Sequence, residues 1–357
     1  MVEKEVAVDS QELKLDTKSL PLDGIFVSWA KLRRADDIAE RLGLSSCTVQ
    51  YFRRGTPLLL TVWKYFLQTA RTLLLLLLRR PRIVVVTCPP IFAVFPVYLY
   101  AKIFRARYVI DFHSGCFLER QWQRLEGLQR FFAKRAVMNL VHNDDNAKRI
   151  EAWKVPYRVF PSLPPDLAQD SVQQSVAEPT PGERPRVVYI CSFKSDEPVD
   201  VFLETAGRVP GADFLITGRA PEAVSKNLPD NVRLTGFLGE KEYTECLLQA
   251  QLIIALTTRA GTLLYGAQEA IALGKPLVLS RTPTLEAYFT GGRVMVENTA
   301  ESLRCGILDA LERGDDLRRE METFRTTCRR RGEARLEELR ANLQKFESGV
   351  LHAGRKD

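Results

Sequence analysis

Short apolar runs separated by longer amphipathic segments recur along this chain, and they predict alternating strands and helices. The clearest runs are Gly24–Ser28, Ile83–Thr87, Met138–Val141, Asp213–Thr217 and Leu252–Leu256. Further segments predict strands at Cys47–Phe52 and Arg293–Val296 and a helix at Ala300–Glu312. Ile83–Thr87 has the sequence IVVVT, which is apolar without alternation and is typical of a parallel strand covered on both faces. The order of runs and helical segments therefore predicts an α/β fold with parallel sheets.

A polar segment divides this pattern into two halves. Pro161–Pro185 is rich in Pro, Ser, Gln and Asp and has no apolar period, which is typical of a linker. A chain of 357 residues also exceeds the usual size of one domain. We predict a flexible arm at 1–20, a first domain at 21–163, a linker at 164–185, a second domain at 186–312, and a C-terminal helix and tail at 313–357.

The most apolar segment, Pro57–Leu78, contains six consecutive leucines at 73–78. Lys64, Gln68 and Arg71 interrupt it at helical spacing, so no uncharged run is long enough to span a bilayer. The pattern favours a buried or interfacial helix.

Positive charge is unopposed around this segment, because no Asp or Glu occurs between Arg41 and Ile110. The basic residues in this interval are Arg53, Arg54, Lys64, Arg71, Arg79, Arg80, Arg82, Lys102, Arg105 and Arg107. Apolar surface combined with positive charge favours contact with anionic lipid headgroups. A core helix with solvated arginines remains an alternative. No recognition motif supports a nucleic-acid partner.

The composition indicates which compartment and which cofactors to expect. The formal net charge is +7, and the seven cysteines lack the spacing of a zinc site or a disulfide framework. The first twenty residues are polar and do not resemble a secretory signal. We therefore expect a cytoplasmic protein, peripheral on the inner face of the membrane, with no metal and no cofactor.

The first domain offers candidate catalytic groups after the predicted strand Tyr108–Ile110. Asp111 and His113 follow it at the carboxyl end, where the active sites of α/β proteins form. A carboxylate or an imidazole can take a proton from an acceptor hydroxyl, so Asp111 is the first candidate for a base and His113 the second. A structural role remains open for both, and it is favoured for His142 after Met138–Val141.

The first predicted turn between strand and helix, from Ser28 to Arg34, is basic. It occupies a position where α/β sheets bind ligands. We expect Ser28, Arg33 and Arg34 to contact a phosphate or the acceptor, and a solvated basic loop is the alternative.

The second domain contains the most informative stretch, Ala260–Phe289. We expect a helix to open at a turn containing Gly261 and to stop at Gly274, with Glu269 inside it. Free N–H groups at a helix N-terminus suit a phosphate, and a carboxylate nearby can accept hydrogen bonds from ribose hydroxyls. An ordinary βαβ unit with a buried glutamate is the alternative.

Residues 269–278, with the sequence EAIALGKPLV, resemble the donor-site signature of GT-B glycosyltransferases, especially family 4. That signature has two glutamates separated by seven residues; the first touches the sugar and the second holds the nucleotide ribose. Glu269 matches the second, whereas Gly261 stands at the position of the first. The resemblance implies two Rossmann-like domains that face each other across a cleft.

The resemblance extends from about Gly24 to Glu312. The order of strand, Pro89-Pro90, apolar helix and Val-Ile-Asp-x-His is similar to bacterial sugar transferases and to the eukaryotic mannosyltransferase that extends dolichol-linked chitobiose. The residues that it implies for the donor site are Lys194 at the diphosphate, Phe237 and Leu238 near the base, and Gly261, Thr262, Leu263, Glu269 and Glu286 around the donor.

These observations predict a hexosyl-transferring enzyme. It would move a sugar from a nucleotide sugar to a lipid-linked glycan at the cytoplasmic membrane face, in cell-surface polysaccharide or glycolipid synthesis. A nucleotide-sugar epimerase or hydrolase would need further carboxylates, which the sequence does not show. A catalytically degenerate GT-B protein that binds a nucleotide sugar or scaffolds a membrane complex is the other alternative, and Gly261 is its best support.

Overall fold

A computed structural model describes residues 22–51, 58–167 and 183–348. The predicted arm, most of the predicted linker and the tail after Ser348 lie outside the described residues. Two six-stranded parallel sheets, each flanked by helices, form two α/β domains. The predicted fold class is confirmed.

The first domain has the strand order β2-β1-β3-β4-β5-β6. Its side chains alternate between two cores: Val84 and Val86 lie in one, and Ile83 and Val85 lie in the other, on the opposite face of the sheet. Its elements are β1 (Gly24–Ser28), α1 (Arg33–Leu42), β2 (Ser45–Thr48), α2 (Leu58–Arg79), β3 (Ile83–Cys88), α3 (Val94–Phe104), β4 (Arg107–Phe112), α4 (Gly115–Leu118), α5 (Arg120–Gln123), α6 (Glu126–Ala133), β5 (Met138–Val141), α7 (Asp144–Glu151) and β6 (Tyr157–Val159).

The second domain has the strand order β12-β11-β10-β7-β8-β9. It also has a core on each face of its sheet. Its elements are β7 (Arg186–Tyr189), α8 (Val199–Gly207), β8 (Asp213–Thr217), α9 (Glu222–Ser225), β9 (Val232–Gly236), α10 (Glu240–Leu248), β10 (Leu252–Ala255), α11 (Tyr265–Ala272), β11 (Leu277–Ser280), α12 (Pro283–Tyr288), β12 (Arg293–Val296) and α13 (Ala300–Glu312).

The last helix, α14 (Gly314–Glu347), joins the two domains. Met321 and Phe324 near its start lie in a core of the second domain. Leu339 and Leu343 near its end lie in a core of the first domain with Phe26. The predicted boundary at residue 312 lies just before this helix. One half of α14 packs into a core of the second domain, and the other half packs into a core of the first.

Three predicted elements differ from the structure. The second strand was expected at Cys47–Phe52, but β2 begins at Ser45 and ends at Thr48. Asp111 lies inside β4 rather than after it. The helix expected to open at Gly261 begins at Tyr265, because Gly261 has φ +74° and left-handed residues do not start an α-helix.

Among the helices of the described residues, none has the length and apolar character that crossing a membrane requires. The apolar segment around the six leucines forms the 22-residue helix α2, which packs on the first sheet through Leu76 and the buried polar residues Gln68 and Thr72.

Candidate functional site

Loops at the carboxyl ends of both sheets meet in a cleft between the domains. Hydrogen bonds between described residues cross this cleft, and they include Arg33 to Glu269 at 2.9 Å, Tyr265 to Asp37 at 2.9 Å, Asn143 to the Gly261 carbonyl at 2.8 Å and Thr284 to Asp145 at 2.5 Å. Carboxyl ends of parallel strands are where α/β proteins bind ligands. The cleft is therefore the candidate site, and in this structure its walls touch.

Glu269 is the buried carboxylate at the centre of the second domain's wall. Its Oε1 accepts from Arg33 Nη1 at 2.9 Å, and its Oε2 accepts from the Tyr243 hydroxyl at 2.6 Å. Burial raises the pKa of Glu269, and the bonds from Tyr243 and Arg33 oppose this shift. A carboxylate offers about four lone-pair sites, so it can still accept from two ribose hydroxyls. Tyr243 was missed, because a tyrosine in an amphipathic helix gives no signal in one sequence.

Gly261 lies in the loop before α11, where glycine fits for a backbone reason. Its φ of +74° lies in the left-handed region, which costs other residues about 1 kcal/mol or more. Its carbonyl accepts from Asn143 Nδ2 of the first domain. Thr262 and Leu263 are half-buried beside it. The loop thus has a glycine at the position where the family that this sequence resembles has a glutamate.

The loop after β7 is held by hydrogen bonds from its backbone to Glu197, a residue of the same loop. Glu197 accepts from the backbone N–H of Ser192 at 3.0 Å and from that of Lys194 at 2.7 Å. Phe193 between them has φ +55°, which turns successive N–H groups toward one side. The side chain of Lys194 is exposed. Glu197 was not singled out in the sequence.

The remaining predicted donor residues differ in their placement. Phe237 is 81% exposed on the loop after β9, and Leu238 is half-buried next to it. Glu286 is bonded to Arg281 at 2.6 Å, and Arg281 also pairs with Glu297. Glu286 is thus engaged by Arg281 in this structure, and its contact with the donor stays a prediction.

Asp111 is fully buried and forms an ion pair with Arg34. Its two carboxylate oxygens accept from Arg34 Nη2 at 3.0 Å and Nε at 3.2 Å. Burial disfavours the charged carboxylate, but Arg34 and two neighbouring imidazoles outweigh it and hold the pKa of Asp111 well below its usual range. A carboxylate that is enclosed, paired and weakly basic does not take a proton from an acceptor. This environment argues against Asp111 as the base, and its role stays a prediction.

Two imidazoles lie against Asp111. Nε2 of His113 is 3.2 Å from its Oδ2 and Nε2 of His142 is 3.5 Å from its Oδ1, although neither contact has the alignment of a standard hydrogen bond. Burial and then Arg34 lower the pKa of His142 to about 3, so this ring stays neutral. The His113 side chain is 21% exposed and the His142 side chain 10%. His113 is therefore the more accessible of the two imidazoles.

The basic turn after β1 is only partly available to a ligand. Ser28 is 2% exposed and donates to the Ala30 carbonyl at 2.6 Å. Arg34 is 5% exposed and donates to Asp111 and to the Phe160 carbonyl. The expectation that Ser28 and Arg34 contact a phosphate or acceptor is wrong for this structure, because both are enclosed and already bonded. Arg33, whose side chain is 40% exposed, reaches the cleft.

Asp111, His113 and His142 place three potential metal-ligand atoms within 4.8 Å of one another. Arg34 occupies both oxygens of the carboxylate with a positive charge. A divalent cation there would meet repulsion from the guanidinium and would compete for the same oxygens. The set therefore fits an ion pair with two flanking imidazoles better than it fits a metal.

Solved structures of other proteins share this arrangement of two domains. Sucrose-phosphate synthase from Thermosynechococcus elongatus has a TM-score of 0.68 at 13% identity, over 91% of this chain and 99% of that one. Anabaena HepE, solved with UDP and glucose, has a TM-score of 0.67 at 11% identity, over 89% and 99%. A putative UDP-N-acetylglucosamine 2-epimerase from Listeria monocytogenes has 0.63 at 12% identity, over 95% and 99%. At these identities the likeness shows the fold alone.

The sequence of the second domain gives a more specific match than the fold does. Residues 184–313 match the family described as Glycosyl transferases group 1. The second domain therefore matches a glycosyltransferase family, and the two domains together have the GT-B fold. No curated protein matches the sequence.

The recognition and the enzyme class predicted from the sequence are thereby confirmed for this GT-B glycosyltransferase. The narrower likeness to the dolichol-linked mannosyltransferase stays a prediction, as do the donor, the acceptor and the role of each site residue. The epimerase alternative shares the fold, but the family match of residues 184–313 favours transfer.

Proposed function

We propose that this protein transfers a sugar from a nucleotide-sugar donor to a lipid-linked acceptor at a membrane surface. The observation that carries the proposal is Glu269, a buried carboxylate at the cleft within the region that matches the glycosyltransferase family. HepE, which shares the fold, was solved with UDP and glucose, and this supports a nucleotide-sugar donor.

The donor would lie along the wall of the second domain. Glu269 would accept hydrogen bonds from the ribose hydroxyls, and the loop of Gly261, Thr262 and Leu263 would enclose the sugar and its phosphates. Phe237 and Leu238, which are exposed and half-buried after β9, would contact the base. In this structure Arg33 bonds to Glu269, so donor binding has to displace or share that guanidinium.

Two cations are available for the leaving diphosphate. Lys194 is exposed on the loop after β7, and Arg33 lies beside Glu269. In the transition state the bond from the anomeric carbon to the phosphate oxygen lengthens, and the oxygen keeps the electron pair. Fixed positive charge in an enclosed cleft stabilises that developing charge.

The acceptor hydroxyl would attack the anomeric carbon and give its proton to Nδ1 of His113, because Nε2 of that ring is buried against Asp111. Asp111 would fix the orientation of the imidazole, and Arg34 would hold Asp111 in turn. This division of roles follows the general pattern in which a buried carboxylate orients a histidine base. A base in this position favours transfer with inversion.

The lipid part of the acceptor is inferred from the outer face of the first domain. Large apolar side chains are exposed on α2, on α3 and just before α3, and they include Val62, Trp63, Phe66, Leu74, Leu78, Phe92, Phe95 and Ile103. Trp63 and Phe66 are 59% and 62% exposed. An apolar face of this extent next to unopposed arginines supports peripheral attachment to an anionic bilayer. It would bring a lipid-linked acceptor to the cleft.

The scaffold alternative rests on Gly261, which replaces a sugar-contacting glutamate of the resembling family. Turnover separates the two proposals, because a scaffold binds the donor without consuming it. The cluster of Asp111, His113 and Arg34 favours the enzyme, since a purely binding protein has no need for an imidazole held against a buried carboxylate.

The first experiment is a thermal-shift screen with UDP, GDP, ADP, dTDP, CMP and their common sugar conjugates. A ligand present at a hundredfold excess over Kd stabilises the folded state by about 2.7 kcal/mol. We expect one nucleotide to raise the melting temperature of the wild type. Glu269→Gln should abolish this shift, whereas the exposed control Glu337→Gln should keep it. An unchanged shift in Glu269→Gln would contradict the donor site.

Turnover is then measured with the identified sugar nucleotide and membrane lipid extracts. His113→Gln should keep the nucleotide shift and lose transfer by about a hundredfold or more, because general bases typically contribute 10²–10⁴-fold. Donor binding without transfer in the wild type, with every acceptor extract, would favour the scaffold.

A further inference from the structure

A second pocket lies at the opposite end of the first domain from the cleft. It has a volume of about 370 Å³ and is formed where β3 and β4 begin, with the end of α14 as one wall. Four arginines line it, at positions 80, 82, 105 and 107. The amino ends of these strands carry none of the predicted catalytic residues, so the pocket is separate from the site of transfer.

The charge around this pocket is strongly unbalanced. Glu347 is the one carboxylate among the lining residues, and Asp23 lies 3.8 Å from Arg82. Within the described ranges, Arg80 and Arg105 form no ion pair and both are exposed. An anion of one or two charges would therefore find donors that the protein itself does not use.

Arg80 and Arg105 also share an uncommon backbone conformation. Their φ values are +49° and +57°, and each residue directly follows a helix, α2 or α3. Glycine is the usual residue at such helix ends, because a side chain there costs about 1 kcal/mol. Two arginines adopt this unfavourable conformation at the rim of one pocket. This indicates that their side chains have a role there.

The apolar face of the first domain reaches this pocket. Leu78 is 75% exposed at the end of α2, and Ile103 and Phe104 are 62% and 45% exposed at the end of α3. Phe104 also lines the pocket. A ligand with a phosphate and hydrocarbon chains would satisfy both parts, with its phosphate among the arginines and its chains against these side chains.

We propose that this pocket binds the phosphate headgroup of an anionic phospholipid. The proposal rests on the membrane attachment proposed above and names its specific contact. Helix α2 has 22 residues, or about 33 Å at 1.5 Å per residue, and it runs from the cleft end of the sheet to the pocket. A headgroup held here would lay α2 and α3 along the bilayer and keep the cleft at its surface.

The test compares three forms of the full-length protein in vesicle co-sedimentation. They are the wild type, the pocket variant Arg80→Gln/Arg105→Gln, and the control Arg233→Gln/Arg330→Gln, which removes the same charge from exposed positions elsewhere. The vesicles are phosphatidylcholine alone or phosphatidylcholine with a minor fraction of phosphatidic acid. Inorganic phosphate and glycerol 3-phosphate, followed by thermal shift, form the soluble arm.

We expect the wild type and the control to bind the phosphatidic acid vesicles and the pocket variant to lose about tenfold or more in affinity. An equal loss in both variants would mean general electrostatic attraction and would overturn the proposal. Saturable stabilisation by the soluble phosphates without vesicle binding would identify a free-phosphate site and would also overturn it. The nucleotide shift, expected intact in the pocket variant, shows that this form is folded and separates failure here from failure of the donor site.

Discussion

Arg34 and Asp111 show how one buried ion pair sets the chemistry around it. The pair is almost fully enclosed, with side-chain exposures of 5% and 0%. Removing one member of such a pair leaves a buried charge without compensation, which costs about 3–5 kcal/mol. We predict that Asp111→Asn lowers the free energy of unfolding by roughly 3 kcal/mol or more, measured by urea denaturation.

The matched control for this prediction is Asp213→Asn. Asp213 also pairs with an arginine, Arg184 at 3.8 Å, but both side chains are more than half exposed. Exposed pairs contribute about 0–1 kcal/mol, so this variant should unfold close to the wild type. Equal losses in the two variants would show that burial does not decide the cost.

His142 makes the stability of the protein depend on pH. Its pKa is about 3 in the folded chain, because burial and Arg34 disfavour its charged form, and the ordinary value is 6.5. Between these values the unfolded chain binds more protons, so the contribution of His142 is lost as pH falls below 6.5. The slope for one proton is about 1.4 kcal/mol per pH unit.

We therefore predict that the wild type loses about 2 kcal/mol more than His142→Gln between pH 6.5 and pH 5, measured by urea unfolding at both values. This range lies above the ordinary titration of carboxylates, so Asp111 adds little to it. Parallel losses in the two proteins would contradict the assignment of the pH dependence to His142.

At the scale of elements, the packing of α14 against the second sheet depends on a glycine. Gly292, before β12, has φ +67°, and a Cβ atom there would lie 2.4 Å from Met321 Cβ and 2.7 Å from its backbone N. Helix backbone cannot move locally to relieve such contacts. We predict that Gly292→Ala lowers the free energy of unfolding by about 3 kcal/mol, through overpacking and the strained φ together.

Gly211→Ala is the control. Gly211 has no positive φ, and no described atom lies within 4 Å of its added Cβ. Its substitution should leave the stability unchanged or slightly raised, because alanine restricts the unfolded chain. A loss in Gly211→Ala as large as in Gly292→Ala would contradict the role of the close contact.

A helix or strand can be predicted from the sequence when its buried residues form a clear apolar pattern. β3, β8, β12 and α13 were predicted within one residue of their bounds, because their apolar pattern follows one period between clear turns. β2 is an edge strand with three exposed residues out of four, so its polar residues SSCT gave no strand signal. The short helices α4, α5 and α6 were not predicted, since one or two turns carry too little periodicity.

At the scale of the whole molecule, the sequence does not show which distant segments contact each other. The family signature predicted Glu269 and the cleft. It could not predict that Arg33, 236 positions away, bonds to Glu269, or that Arg34 turns inward to Asp111. Adjacent arginines look alike in a sequence. Their exposures of 40% and 5% arise only when the second domain and β4 are in place.

The helix α14 packs into a core of each domain, and its two halves allow a test of whether it couples their unfolding. Met321 is fully buried in the second domain and Leu343 is fully buried in the first. Each truncation to alanine should cost about 2–5 kcal/mol. All four tryptophans, Trp29, Trp63, Trp122 and Trp153, belong to the first domain, so their fluorescence reports that domain alone, whereas far-UV circular dichroism reports both.

If α14 couples the domains, Met321→Ala should lower the midpoint of the tryptophan fluorescence transition as well as that of circular dichroism, although residue 321 lies in the domain without tryptophan. Leu343→Ala should shift both signals in the same way. Urea unfolding followed by both signals makes the measurement. A fluorescence midpoint unchanged in Met321→Ala but lowered in Leu343→Ala would show that the domains unfold independently. The hydrogen bonds across the cleft would then be contacts between separate bodies, free to open for the donor.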